Sequence, residues 1–433
     1  MPLLSCALMC TPGLCDKVAV MIRQRRRRRP EWAAGFALLA VLAARPARAD
    51  DAALLAGRIA KAQKLVEKVR GLTFRSPVAS ALLPEKDLEK VLGKKLVEDL
   101  PVPFETYASS LEAIGLIENS PDLLLRLTRL YARQVVGFYD PAEKRFYIVP
   151  ERIRDTAGPA GELLEQLLLA HELTHALQDQ RLGLDRRMKA LVNSTDALLA
   201  LQAVLEGEAT LVMTEALMAS VSGDAREALG SDPTQQILDG LDNPAAVEGA
   251  EGVPDFFVKE LVFPYAAGTA WVREKRKAGG WAAIDAIYRD LPSTTSEILR
   301  PGTLPGPRKL LLASDRPTPG RVPGGSSTTW YDTLGEWALG NLLERAGAGD
   351  EAKEAASGWQ DDRVVFFASK EHPSAGGIGF LWRIRAGSPA LAKRIAALLA
   401  PLYGSRPVAE RPSVTTRGDV VEVSLAAVRS PAA

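Results

Sequence analysis

Residues Leu167 to Gln180 read LLLAHELTHALQDQ and place His171 and His175 four positions apart, with Glu172 beside the first. No other stretch of the chain narrows its folding choices as much. The apolar run must be buried, and an α-helix buries it while putting both imidazoles on one side, because residues four apart share a helical face. Two imidazoles so placed can grip one ion through their ring nitrogens. Glu172 lies about 100° round the helix, too far to share the coordination position but near enough to reach a water on the metal. This donor pattern predicts zinc, which lowers the pKa of a bound water towards about 7 and polarises a carbonyl; Glu172 is then the general base. The competing reading is a chance match on a buried helix. With only three histidines in 433 residues, chance is a poor account of two at this spacing around a glutamate.

A catalytic zinc usually has three protein ligands and one open position, so a further donor is needed. VLEGEATLVMTEA, Val204 to Ala216, offers candidates on the next expected helix. Glu206 follows His175 by 31 residues, room for a loop and an antiparallel return. Glu208 sits about 200° from it around the helix, so only one of the pair can face the metal. Glu206, followed by Gly207, is the predicted third ligand. His372, in the Pro/Gly loop KEHPSAGG, is the other candidate. Asp179, one turn past His175, and Thr210, one turn past Glu206, are placed to accept the outer N–H of a ligand imidazole.

Thiolate ligands are excluded by position. Cys6, Cys10 and Cys15 are the three cysteines, and all lie in a segment that reads as a secretory signal peptide. Its marks are the basic run Arg23 to Arg29, the apolar AAGFALLAVLAA and Ala47-Arg48-Ala49 before an expected cut at Asp50. Met21 is a candidate second start. Beyond the cut there is no thiol, hence no disulfide and no cysteine nucleophile. The whole chain carries +1, and nine basic against two acidic residues before Asp50 leave the remainder at about −6. That mildly acidic balance excludes a polycationic nucleic-acid binder. No stretch after residue 50 reads as long and apolar enough to span a bilayer. The expected location is periplasmic or secreted.

The expected organisation is a signal peptide over 1–49, an N-terminal helical region over 50–133, a catalytic domain over 134–300, a Pro/Gly/Ser-rich linker over 301–329 and a C-terminal α+β module over 330–433. Helices are predicted over Asp51–Leu72, Leu88–Leu100 and Pro121–Arg133, then from Pro159 to Arg181 with Asp155 or Thr156 as cap. Others are predicted from Asn193 or Ser194 to about Ser220, and over Ala266–Ala278 and Trp281–Asp290. QVVGFYDPAEKRFYIVP, Gln134 to Pro150, predicts a β-hairpin turning at Asp140-Pro141, whose second strand is a candidate edge for an extended peptide. After the linker, RVVFFAS, GIGFLWRIR and DVVEVSLA predict strands among two helices.

HELTH followed by EGEA on the next helix resembles the gluzincin metallopeptidases, in which HExxH gives two histidine ligands and a downstream glutamate the third. FPYAAGTAWVREKRKAGGWAAIDAIYRDLPSTT, Phe263 to Thr295, is similar to their aminopeptidase branch, where a tyrosine supports the tetrahedral intermediate. The resemblance spans about Gln134 to Thr295. It implies an α+β, mostly helical zincin-like fold holding one zinc ion, with His171, His175 and Glu206 as ligands and Glu172 as base. It also implies Tyr265 as hydrogen-bond donor to the developing oxyanion. Two departures stand out. The gap between His175 and Glu206 is longer than in the well-known gluzincins. The Gly-x-Met-Glu-Asn element that reads a substrate's free amino end is missing, with GFYDPAEKRFYIV in its place, which points to an endopeptidase. As a whole the chain resembles exported bacterial HExxH proteins. The expected function is an exported zinc metallopeptidase acting on peptides or proteins. The alternatives are a non-catalytic zinc-containing envelope protein for binding or assembly, and a zinc amidase acting on cell-wall peptides.

Overall fold

The structure, a computed structural model, describes residues 49–118, 120–154, 159–220, 234–235, 247–300, 308–318, 326–369, 377–408 and 411–425. The expectations for the signal segment, for Asp155 and Thr156 as caps, and for His372 lie outside the described residues.

The protein is α+β, with two separate sheets among many helices. Helix α1 (Ala49–Arg70) leads to a small three-stranded sheet of β1 (Ala79–Leu82), β2 (Gly137–Asp140) and β3 (Arg145–Ile148). Between β1 and β2 run α2 (Glu85–Glu98), α3 (Phe104–Ile114) and α4 (Leu123–Gln134). The hairpin forms as its β-branched and aromatic runs predict, with Asp140 opposite Arg145. The sheet order is β1-β3-β2, because β1 joins β3 in parallel. This corrects the expected edge: β3, the second hairpin strand, is central, and β2 is an edge strand buried against a new neighbour.

That neighbour is α6 (Pro159–Leu182), which carries the HELTH segment and follows the short α5 (Pro150–Arg154). After α7 (Leu184–Ala190) come α8 (Thr195–Ser220), α9 (Asp255–Ile287) and α10 (Thr295–Leu299). Helix α8 is buried along nearly its whole length. By length and composition it could cross a membrane, contrary to the reading of the sequence. It is instead the central helix of the core, packed against α6 on one side and α9 on another.

The α8–α9 crossing explains two glycines. A Cβ on Gly207 would stand 2.3 Å from the Gly268 carbonyl oxygen, and one on Gly268 would stand 2.0 Å from that of Ala203. Only hydrogen fits between these backbones, so the helices touch beside Glu206 and Tyr265. Helix α9 begins at Asp255, earlier than expected, while the expected division between Ala278 and Trp281 is present as a kink with non-helical dihedrals at Gly279 and Gly280, after which the second segment runs to Ile287.

The second sheet has the order β4-β5-β6-β8-β7, all antiparallel, from β4 (Ser326–Asp332), β5 (Trp359–Ser369), β6 (Ile378–Ala386), β7 (Ser413–Arg417) and β8 (Val420–Leu425). Helices α11 (Gly335–Arg345) and α13 (Pro389–Gly404) pack on it, and α12 (Asp350–Ala356) lies beside them. The main hydrophobic core runs without a break from Leu83 in the N-terminal region to Leu425 in β8. Trp330 Nε1 donates to Ser110 Oγ at 3.0 Å and the Tyr403 hydroxyl to the Ile114 carbonyl at 2.9 Å, tying β4 and α13 to α3.

Three buried aspartates lie where this sheet meets the helices around it. Asp332 accepts from Thr195 N at 2.8 Å and so caps the start of α8. Asp196 accepts from Thr295 N at 2.8 Å, capping α10. Asp362 accepts from Leu334 N and Gly335 N at 3.0 and 2.9 Å, at the start of α11, and from the indole N–H groups of Trp359 and Trp382. Each carboxylate meets the orphan N–H groups of a helix N-terminus, where negative charge is favoured.

Candidate metal centre

Helix α6 presents His171 and His175 on one face, one turn apart, because their spacing matches the helical repeat. Helix α8 brings Glu206 against them. His171 Nε2 is 3.1 Å from Glu206 Oε2, His175 Nε2 is 3.5 Å from the same oxygen, and the two Nε2 atoms are 3.3 Å apart. Three donor atoms at tetrahedral corners, each about 2.0–2.1 Å from a zinc ion, stand about 3.3–3.4 Å from one another. The observed triangle therefore has the size of one face of that tetrahedron.

The electrostatics favour a cation. His175 and Glu206 are fully buried, and His171 and Glu172 nearly so. Glu206 Oε1 is buried without a hydrogen bond. The ion pairs of Glu206 are with the two histidines, so no lysine or arginine neutralises it among the described residues. Burial lowers the His171 pKa, against the pull of Glu206. Burial also opposes charge on His175, but Glu206 and Glu172 overcome it and lift the group to about 9. Burial pushes Glu172 well above the usual carboxylate range. Burial disfavours charge on Glu206, yet the two histidines hold it below the usual carboxylate range, and a divalent ion at the shared vertex would supply the same positive charge. His171, His175 and Glu206 form a group that can hold a metal ion.

Glu172 points elsewhere, as its place on the helix requires. Its Oε2 accepts a hydrogen bond of 3.2 Å from the backbone N–H of Tyr139 in β2. The outward N–H of the edge strand is thus occupied by this carboxylate. Tyr265, buried in α9, lays its ring nearly parallel to that of His171, with centroids 6.2 Å apart.

Glu208 turns away from the histidines. Its Oε1 meets Arg70 Nε at 2.5 Å, and its Oε2 accepts from the Tyr288 hydroxyl at 2.5 Å and Gln178 Nε2 at 3.0 Å. The support predicted for the imidazoles is also differently placed. Asp179 accepts from the Tyr139 hydroxyl at 2.9 Å and Leu184 N at 2.7 Å, which ties the end of α6 to β2 and α7. Gln178, one residue earlier, is the side chain 2.9 Å from His175 Nδ1. Thr210 is buried, and no bond from it to a ligand imidazole occurs among the described residues. Sequence reasoning passed over Gln178, Arg70 and Tyr139. For Gln178 a signal was present, since it is three residues past His175 and such pairs meet on a helix. Arg70 and Tyr139 come from distant segments with no local mark.

No family model and no curated protein matches the chain. A solved structure from Chloroflexus aurantiacus, described as "a putative hydrolase with a novel fold", is similar at 17% identity, covering 68% of this chain and 97% of that one with a TM-score of 0.40. A likeness of that size transfers neither chemistry nor substrate to this chain.

Proposed function

We propose that the protein is an exported zinc-dependent hydrolase of peptide bonds, with His171, His175 and Glu206 as ligands. The observation that carries this reading is the convergence of His171 Nε2, His175 Nε2 and Glu206 Oε2 to within 3.1–3.5 Å of one another, with Glu172 on the adjoining helical face. Two imidazoles and one carboxylate form a donor set suited to zinc. When bound there, the ion lowers the pKa of water and polarises a carbonyl. Glu172 accepts a proton at its carboxylate and delivers it to the departing amine, so that water is added across the amide. Its Oε2 is held by the Tyr139 N–H, which orients the carboxylate for that transfer. Tyr265, with its ring on His171, is the proposed donor to the oxyanion. The gluzincin-like order of HELTH and EGEA supports peptides as the substrate. The basic run, apolar core and Ala47-Arg48-Ala49 support export, and an N-terminus at Asp50 in the secreted protein is the expected sequencing result.

Glu172→Gln tests the assignment. The variant should bind as much zinc as wild type and lose at least about 100-fold in turnover on a denatured-protein digest with mapped cleavage sites. Zinc-loaded wild type that cleaves no more than the variant would leave a non-catalytic zinc protein as the better description.

A further inference from the structure

The side chain of Gln178 is fully buried between α6 and α8, and both its ends are engaged. Its Nε2 lies 3.0 Å from the Leu205 carbonyl oxygen and 3.0 Å from Glu208 Oε2, while its Oε1 lies 2.9 Å from His175 Nδ1. The two acceptors at one end settle which way the amide faces. Flipped, its carbonyl oxygen would meet a backbone carbonyl and a carboxylate, and two hydrogen bonds would become two lone-pair repulsions. In the orientation that remains, Oε1 faces Nδ1, and an oxygen there requires Nδ1 to carry the hydrogen. In the neutral ring this leaves the lone pair on Nε2, the atom 3.3 Å from His171 Nε2 and 3.5 Å from Glu206 Oε2.

Glu208 is held as an acceptor in its turn. Arg70 Nε and the Tyr288 hydroxyl each stand 2.5 Å from it. Arg70 also reaches Asp285 Oδ1 at 2.6 Å and lies over the Trp281 ring, 4.6 Å from its centroid. The buried guanidinium thereby compensates a buried carboxylate, and a chain of contacts runs from α1 to the imidazole.

We propose that Gln178 is the positioning residue of the centre. Held by the Leu205 carbonyl and by Glu208, which Arg70 pairs with, it sets the tautomer and ring angle of His175 so that Nε2 is the ligand nitrogen. Glu208, two residues from a ligand, is then an anchor for this arrangement, and helix α1 is part of the centre. The inference rests on the metal-centre reading above but not on turnover. Partners of this kind commonly change metal affinity by 10- to 100-fold when removed.

The full-length protein tests this by two readouts. With three histidines in the chain, the ring nitrogens of selectively ¹⁵N-labelled protein can be assigned by NMR. Zinc-loaded wild type should show His175 protonated at Nδ1 and metal-bound at Nε2, with the Nδ1 proton exchanging slowly. Zinc on Nδ1 overturns the proposal, and this arm needs no variant to fold. Gln178→Met, which keeps the volume, should bind zinc about 10- to 100-fold more weakly in chelator competition and lose the slow-exchanging proton. A folded Gln178→Met with wild-type affinity overturns the proposal and leaves the hydrolase reading intact. Wild type that binds zinc through Nε2 of His175, loses affinity on Gln178→Met and hydrolyses nothing supports the proposal while overturning the hydrolase reading.

Discussion

Glu206 and Glu208 are both fully buried on α8, yet their surroundings give them opposite electrostatic roles. Glu206 faces two imidazoles and has no basic side chain among the described residues. Glu208 is already neutralised by Arg70. Removing them should have different consequences. Glu206→Ala takes away a ligand, and zinc analysis should find the metal lost. Glu208→Ala keeps all three ligands but leaves the buried Arg70 guanidinium with Asp285 as its remaining carboxylate partner, so denaturation should show a loss below the roughly 3–5 kcal/mol of a fully broken buried pair, with metal binding weakened, not abolished. Full zinc occupancy in a folded Glu206→Ala protein would place the third ligand elsewhere. His171, Glu172 and His175 could be read together from the sequence because their geometry is local, fixed by the helical repeat. Helical phase separated Glu206 from Glu208, but which of them faces the histidines depends on how α8 is rotated against α6. Tertiary packing sets that rotation.

At the scale of elements, the α8–α9 crossing sets where Glu206 and Tyr265 sit. Its glycines leave no room for a methyl group against the facing backbone, and backbone cannot rotate aside as a side chain can. Gly268→Ala should therefore destabilise the fold by about 1–3 kcal/mol or more in urea unfolding and weaken zinc binding, since the helix carrying Glu206 must shift. An unfolding midpoint and zinc affinity equal to wild type would show that the helices separate without cost. The beginning of α9 escaped the sequence reading for a physical reason. Phe256, Phe257, Val258, Leu261, Val262 and Phe263 are all buried, so the segment lacks the alternation of buried and exposed residues that marks an amphipathic helix. Pro264 then reads as a stop, yet the helix continues through it. Strand β1 escaped for another reason: its partner, β3, begins 66 residues later, with Ala79 opposite Arg145.

Across the whole molecule, the aspartates between α8 and the second sheet make stability depend on pH. Burial raises Asp196 to about 7 against the hydrogen bonds from Thr295, and raises Asp332 to about 7 against those from Thr195. Asp362 adds like charge to both. Their folded-state values lie above the ordinary 3.8. Their contribution is thus fully present below about pH 4 and is lost as pH rises through about 7. Unfolding free energy from urea titrations should fall between pH 5 and pH 8 by on the order of a few kcal/mol. Asp332→Asn, which keeps an acceptor for Thr195 N, should flatten part of that slope. A slope unchanged in Asp332→Asn would mean that this carboxyl does not titrate in the window.

The sequence by itself determined the helix bearing HELTH, the hairpin beside it, the long helix bearing EGEA and the α+β class. In each case a local period in apolar residues or a turn dipeptide records the backbone conformation. Tertiary structure alone decided that β2 borders the site, that Glu208 belongs to Arg70, and that Gln178 meets His175 while its amide is held by α8. It also decided that the apolar helix α8 lies in a protein core. These outcomes depend on contacts between segments up to 138 residues apart, as in the bond from Arg70 to Glu208. No local pattern encodes such a contact, because it exists only once the helices have packed.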